Sequence, residues 1–403
     1  MPEPKIRFMP DDGASFPAWQ IQPMSDVFTE ISEKNHPEMP VLSIQQGVGT
    51  VLRDSSDRNI LYDKSNLKNY KAMQKGDYII HLRSFEGGLE CSNHDGISSP
   101  AYRILRPKTI LPAAYRDYFR SYEFIHNKLA VSVVGIRDGK NIDMDTFWQI
   151  SMSVPCIEEQ QKIADFLSSV DDVISTSEKE VTTLETQKKA VMKKIFSQEV
   201  RFKKPDGSIF PEWEVKLLGE IADVSKLAGF EFTKYVSYSE NGNIVAIRGL
   251  NVKSGHLILD DVKYLDGSDF SKLDRSKLFI DDIIFTYVGT IGDAALVPEN
   301  DKYYMAPNVC RIRVANENPC FIMQQLLSDW FKKTVIMPLI ATSSQPALSM
   351  ENIRLFKMGI PCLEEQRLIA DFLSDFDEAI AAAKKELELW KKLKKGLLQQ
   401  MFV

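Results

Sequence analysis

At 403 residues the chain is too long for one ordinary hydrophobic core and fits two domains joined by connecting elements. Its 44% hydrophobic and 26% charged residues, with no low-complexity tract, exclude a disordered or fibrous protein. A net charge of -6 excludes a protein that coats nucleic acid over its whole surface, while leaving room for a local basic face.

The N-terminal stretch MPEPKIRFMPDDG has no apolar h-region, and no run approaches the ~18 apolar residues of a membrane helix. A cytoplasmic protein without a membrane partner is expected. Residues 1–153 read as a first α+β domain, with β-rich runs such as DYIIHLRSF and SPAYRILRP bounded by Gly, Asn, Asp or Pro. Basic and polar side chains cluster around LRSFEGGLECSNHDGISSPAY, and Arg53, Arg58, Lys71, Arg83, Ser84 and Asn93 are candidate contacts to base edges or phosphates. GIRDGKN at Gly135 to Asn141 resembles a P-loop, but it has three residues between its glycines and Asn where Ser or Thr should bind magnesium, so it is rejected.

Residues 154–200 contain PCIEEQQKIADFL, and residues 360–403 contain PCLEEQRLIADFL. Val154 to Ile174 and Ile360 to Ile380 align without a gap at 13 identities in 21 positions, which marks a duplication. Each EEQ follows a proline and supplies an acidic first turn suited to the helix dipole. A heptad seam follows: Ile163, Leu167, Val170, Ile174, Ser177, Val181, Leu184, Lys188, Val191 and Ile195 in the first copy. Its partner is Ile369, Leu373, Phe376, Ile380, Ala383, Leu387, Trp390, Lys394, Leu397 and Met401. Small residues and lysines recur at matching places, which predicts two long helices in coiled-coil contact rather than two amphipathic helices packed separately.

Residues 201–359 form a second α+β domain, with NIVAIRGLNV, DIIFTYVG and NVCRIRVA as strand-like runs. Its candidate contacts are Lys226, Lys234, Arg248, Asn251, Lys253, Tyr287, Thr290 and Arg311. VRFKKPDGSIFPEW, ending at Trp213, repeats IRFMPDDGASFPAW, ending at Trp19, with Arg7/Arg201, Asp12/Asp206, Gly13/Gly207 and Phe16/Phe210 in register. Asp206, Glu214 and Lys216 follow the order of a metal-dependent nuclease, but the first copy has Gln20 and Gln22 at the later positions, and a PDG turn before a strand explains the stretch without a metal.

The second helix copy runs to the end of the sequence, and its continuation is found at KIRF near the start, so the repeat closes like a ring and the termini are expected to be neighbours. Connectivity then makes the helices antiparallel, with a pseudo-twofold axis between two globular heads. Beyond the shared entry motif the two heads show no gapless similarity, which suggests a symmetric scaffold presenting two different binding surfaces, with drift after duplication as the alternative. Five cysteines without a CxxC pair and five scattered histidines support no disulfide framework, metal site or cofactor.

Together, the paired PC[IL]EEQ..IADFLS..D..I helices, the FP.W entries, GLNVKSGHL, TYVGTIGD and GISSPAYRILRP resemble the specificity subunit of Type I restriction-modification systems over essentially the whole chain. The resemblance implies a non-catalytic subunit with two target recognition domains, each reading half of a bipartite site in double-stranded DNA. It implies as partners two methyltransferase (modification) subunits supplying S-adenosylmethionine chemistry, and restriction motor-nuclease subunits. The helix pair then acts as a ruler for the spacer. The exposed helix flanks and the lysines Lys188, Lys189, Lys193, Lys194, Lys391, Lys392, Lys394 and Lys395 are candidates for subunit docking, phosphate contact or helix C-terminal charge. The competing reading is a two-headed protein-binding adaptor with the coiled coil as a spacer.

Overall fold

The computed structural model describes residues 4–53, 64–80, 88–134, 141–340 and 346–402. It divides into two compact units, Met1–Glu178 with Lys385–Val403, and Lys179–Lys384. Two long helices, Ile157–Phe196 and Leu363–Met401, contribute to both units.

Each helix starts on a buried clamp built by the repeated motifs. In the first unit the fully buried Glu159 accepts hydrogen bonds from Arg7 Nη2 at 2.8 Å and from the Trp19 indole at 3.1 Å. In the second, Glu365 takes the same bonds from Arg201 at 2.8 Å and Trp213 at 3.2 Å. Each arginine also donates to a carbonyl of the FP segment, Pro17 at 2.7 Å and Pro211 at 2.5 Å. The intervening turn needs its glycine, since Gly13 and Gly207 have φ of +77° and +83°, and Asp12 and Asp206 accept from the backbone two residues on. Of each glutamate pair, therefore, only Glu158 and Glu364 are the exposed first-turn acids that the sequence suggests; their neighbours are structural ion pairs.

The next residue fastens the helix to its head. The buried Gln160 accepts from Leu111 N at 2.7 Å and donates to Pro155 O and Thr109 O, both at 3.0 Å. Gln366 accepts from Asn318 N at 2.8 Å and donates to Pro361 O at 2.9 Å.

The helices are antiparallel within each unit, because the start of one packs on the end of the other. Ile163 and Leu167 share a core with Leu397, Met401 and Phe402 in the first unit. Met192, Ile195 and Phe196 share one with Ile369 and Leu373 in the second. Every seam residue named from the heptad is buried or half-buried. The two seam lysines are ion-paired: Lys188 with Asp377 at 2.6 Å, and Lys394 with Asp171 at 2.5 Å and Asp117 at 2.6 Å. Near the chain ends, Ile6 N donates to Gln400 O at 3.1 Å, as the ring-like repeat requires.

The heads share more than their sequences reveal. In the first unit an antiparallel sheet runs Phe28–Ile31, Arg103–Pro107, Tyr78–Ile80, Leu89–Cys91. In the second it runs Ala222–Lys226, Val309–Val314, Ile283–Thr286, Ala294–Leu296, in the same connectivity. Each sheet carries a bidentate pair to a buried aspartate, Arg106 with Asp77 at 2.9 Å and Arg313 with Asp282 at 2.6 Å. These pairs are separated by 29 and 31 residues, a difference that a gapless comparison cannot bridge. Smaller strands pair at the entry of each head, Gln20–Pro23 with Ser151–Val154 and Glu214–Leu217 with Lys357–Ile360. Among the described residues no helix is long and apolar enough to cross a membrane.

Removing one partner from a buried ion pair costs about 3–5 kcal/mol, whereas an exposed substitution stays within about 0.5 kcal/mol. Glu365→Ala should lower the second unit's stability to urea by the former amount and Glu364→Ala by the latter; equal effects would refute the clamp. Asp117 gives a pH test. Burial raises its carboxyl pKa, but Lys394 and then Arg116 outweigh it, leaving the pKa below the ordinary 3.8. The charged form is favoured by folding, so this stability is present above the ordinary value and is lost as pH falls below it. The stability gap between wild type and Asp117→Asn should accordingly shrink below about pH 3.8, and a gap constant with pH would show that the charge is not involved.

Candidate nucleic-acid interface

Two turns converge in the second unit. One, Gly249–Asn251, leaves the strand Val245–Ile247; the other, residues 287–293, joins the sheet strand Ile283–Thr286 to the edge strand Ala294–Leu296. Asn251 holds the first turn together. Its buried amide donates to Ile258 O at 2.9 Å and Asp261 O at 2.7 Å, and accepts from Arg248 N at 3.2 Å. Arg248 is steered in turn, with Nη2 bonded to Asp261 O at 2.7 Å and to the Asp261 carboxylate at 3.0 Å. The second turn is cinched by Gly292 N to Thr286 O at 3.0 Å and Asp293 N to Thr286 Oγ1 at 2.9 Å.

Between the turns lies a cavity of about 370 Å³ lined by Tyr238, Arg248, Gly249, Leu250, Val288, Thr290, Pro307 and Asn308. Its mouth combines a cation, a hydroxyl and an amide with Leu250, which is 56% exposed. Asn308 sits at φ +73°, with its carbonyl accepting from Tyr287 N at 3.2 Å and its side chain at the surface. Burial raises the Tyr238 hydroxyl pKa, against the opposing charge of Arg248, so the group remains a neutral donor. Such a set can hydrogen-bond a base edge or a phosphate while offering apolar contact to a base methyl group.

The sequence candidates separate into contacts and supports. Arg248 and Thr290 meet in this cavity. Lys253 lies at a different place, a cleft of about 670 Å³ that it lines with Lys189, Lys332, His256 and others. Lys226 is exposed above the Tyr287 ring at 5.5 Å, and Lys234 lies 5.3 Å from Tyr235. Asn251 and Arg311 are supports: the former is buried as described, and the latter, 7% exposed, pairs with Asp223 at 2.5 Å and donates to Arg275 O at 3.3 Å. In the first unit Lys71 is buried and donates to Tyr102 O at 2.7 Å; desolvation lowers its pKa, partly opposed by Glu30. Asn93 props a hairpin through Val48 O at 2.8 Å, and Arg53 bonds Ser43 within that hairpin at 3.1 Å. Arg58, Arg83 and Ser84 lie outside the described residues, as does most of GIRDGKN.

Sequence reasoning missed Tyr238, Leu250 and Asn308. Leu250 lies inside the run NIVAIRGLNV but is apolar, and Tyr238 and Asn308 reach the cavity only through folding. Of the lysine-rich helix ends, Lys188 and Lys394 are committed to seam ion pairs, and Lys391 pairs with Glu178 at 2.9 Å, whereas Lys189, Lys193, Lys194, Lys392 and Lys395 are exposed. In the nuclease-like trio, Asp206 accepts from Ser208, while Lys216 pairs with Glu317 at 3.2 Å and with Glu214 at 3.5 Å.

Comparison with known proteins gives a consistent picture. A family model described as the Type I restriction modification DNA specificity domain matches residues 20–186 and again 211–389. The chain is 30% identical over 314 residues to the Type I restriction enzyme MjaVIII specificity subunit of Methanocaldococcus jannaschii, covering 75% of this chain and 72% of that protein. Two solved structures share the fold. One is a chain from a study of complex assembly and conformational transition of the type I R-M system, with TM-score 0.58, 15% identity, and coverage of 96% of this chain and 98% of the other. The other is a Type-I restriction-modification S subunit from M. genitalium, with TM-score 0.55, 13% identity, and coverage of 100% and 99%.

Proposed function

Because the chain belongs to the Type I restriction-modification DNA specificity family, we propose that its two units each read one half of a bipartite site in double-stranded DNA. It is the recognition component of such a system, and the chemistry belongs to other subunits. The observation that carries the bipartite reading is a duplicated frame with unduplicated turns. Clamp and helix start recur residue for residue in both units and the sheet recurs in its connectivity, while the side chains outside this frame differ. Two copies of one frame with different exposed residues suit a target whose halves differ.

In the second unit Arg248, Thr290 and Asn308 are the proposed base or backbone contacts, with Leu250 supplying apolar contact. Exposed lysines such as Lys226, Lys234 and Lys253 add phosphate neutralisation. The proposed partners are two methyltransferase subunits and restriction motor-nuclease subunits in the cytoplasm, docked on the exposed flanks of the long helices. The family membership favours this reading over a protein-binding adaptor. The two also differ physically, since DNA binding releases counterions and weakens steeply with salt.

Mapping adenine methylation in cells that express the chain with its methyltransferase subunit tests the proposal. One split sequence with a fixed gap is expected, and Arg248→Ala should relax one half only. A stable, active complex that adds no new methylated sequence would overturn the DNA-reading role. The same map tests the ruler. Four residues inserted in one long helix move its end by ~6 Å and rotate it by about 40°. The preferred gap should change or methylation should be lost; unchanged preference for the original gap would refute the ruler.

A further inference from the structure

Outside its cavity the second unit holds a concentration of positive charge where the hairpin after the Arg248 turn, Val252–Lys253 with His256–Leu257, meets the two long helices. Four elements bring lysines to that cleft of about 670 Å³: Lys253 from the hairpin, Lys188 and Lys189 from the first long helix, Lys384 from the second, and Lys332 from the helical turn Lys332–Ile336. A smaller cleft of about 400 Å³ continues it, sharing Lys189 and Asp329 and adding Lys193 and Lys333.

The charges do not cancel. Lys188 is committed to Asp377 at 2.6 Å and Lys384 to Glu185 at 2.7 Å, and Lys332 stands 3.9 Å from Asp293. Lys189, Lys193, Lys253 and Lys333 are exposed and, among the described residues, pair with no carboxylate. Of the acids lining the two clefts only Asp329 is likewise unpaired, so four free cations face one free carboxylate. Position ties this surface to the readout. The turn 287–293, which gives Val288 and Thr290 to the cavity, sets its other end against the cleft: a Cβ on Gly292, at φ +93°, would stand 3.5 Å from Lys332 Cε, and Asp293 accepts from Ser254 N at 3.4 Å.

We infer that the strip from Lys253 and Lys332 through Lys189 to Lys193 and Lys333 is a track for the phosphate backbone of DNA flanking the second unit's half-site. The inference rests on the DNA-reading role proposed above, and it gives this flank of the first long helix to DNA rather than to a partner subunit. Lysine suits the task, because its ammonium is a mobile point charge that neutralises a phosphate without reading a base. Protein interfaces are instead depleted of lysine, which argues against a protein occupant. Lys189 and Lys193 stand ~6 Å apart along one flank of the helix, so both can follow one strand of a duplex. In the first unit the repeat mate of Lys193 is Gln399, which donates to Glu123 at 2.8 Å. That position is spent within the first unit, whereas in the second it is left free for a ligand.

The test is the salt dependence of binding by the complex of the full chain with its methyltransferase subunit, on a duplex carrying the sequence it methylates. Each neutralised phosphate adds about 0.9 to the slope of log affinity against log salt. Lys189→Gln/Lys193→Gln should therefore lower that slope by about 1.8, and its affinity deficit should shrink about tenfold as salt rises from about 50 to about 200 mM. Lys253→Gln/Lys333→Gln should act alike. In both variants the methylated sequence and its gap should stay as in the wild type, unlike Arg248→Ala. These side chains are exposed, so a matching urea midpoint is expected and checks folding. An unchanged slope in both variants overturns the inference and leaves the DNA-reading role standing. A weakened hold on the methyltransferase subunit with the slope unchanged also overturns it, by making the strip a protein-docking face. If the wild-type complex prefers no sequence, the underlying role fails, and this inference with it.

Discussion

The structure depends on a buried carboxylate at the start of each long helix. Glu159 and Glu365 sit where the helix backbone presents its unpaired N–H groups, and each is neutralised by an arginine and an indole delivered by a segment far away in sequence. One carboxylate thereby ties together a helix, a loop and the first strand of a head. Neither an apolar contact nor a surface pair would fix direction as well, because only a buried ion pair makes misplacement of any partner expensive. The buried glutamine beside it adds the remaining segment of the head, so within each unit the helix and the sheet are held at a set angle.

The seam applies the same logic along the helices. An all-apolar heptad tolerates sliding by one repeat, but Lys188 finds Asp377 and Lys394 finds Asp171 and Asp117 in one register only. Each pair belongs to one unit and is the repeat mate of the other. A register fixed twice by charge is what a spacer must have if its length is to carry information.

Much of this frame was legible in the sequence, because clamp and seam need particular residue types at particular spacings, and both copies kept them without insertion. The common sheet was not, since strand interiors ask only for apolar residues and the diagnostic Asp–Arg pairs differ in spacing by two residues. The candidate contacts were the least legible. Asn251, Lys71, Arg311 and Asn93 have the chemistry of base readers, yet their side chains are spent on backbone carbonyls or a carboxylate. A polar residue in a Gly-rich turn looks the same in sequence whether it points outward or holds the turn from within.

That distinction between polar groups inside and outside the turns has a consequence for how recognition can vary. Asn251 and Asp261 in one unit, and Glu90, Asn93 and Arg120 in the other, set where a turn lies, and their loss would leave buried donors or acceptors without partners. The outward residues of the cavity, Leu250, Thr290 and Asn308, have little hold on the fold, and substitutions at such positions typically change stability by less than about 0.5 kcal/mol. Contact chemistry can therefore change in one unit without disturbing its clamp or the helix register. If the units read DNA as proposed, a new preference could arise from exchanging a few exposed side chains while the clamps and the helix register stay as they were.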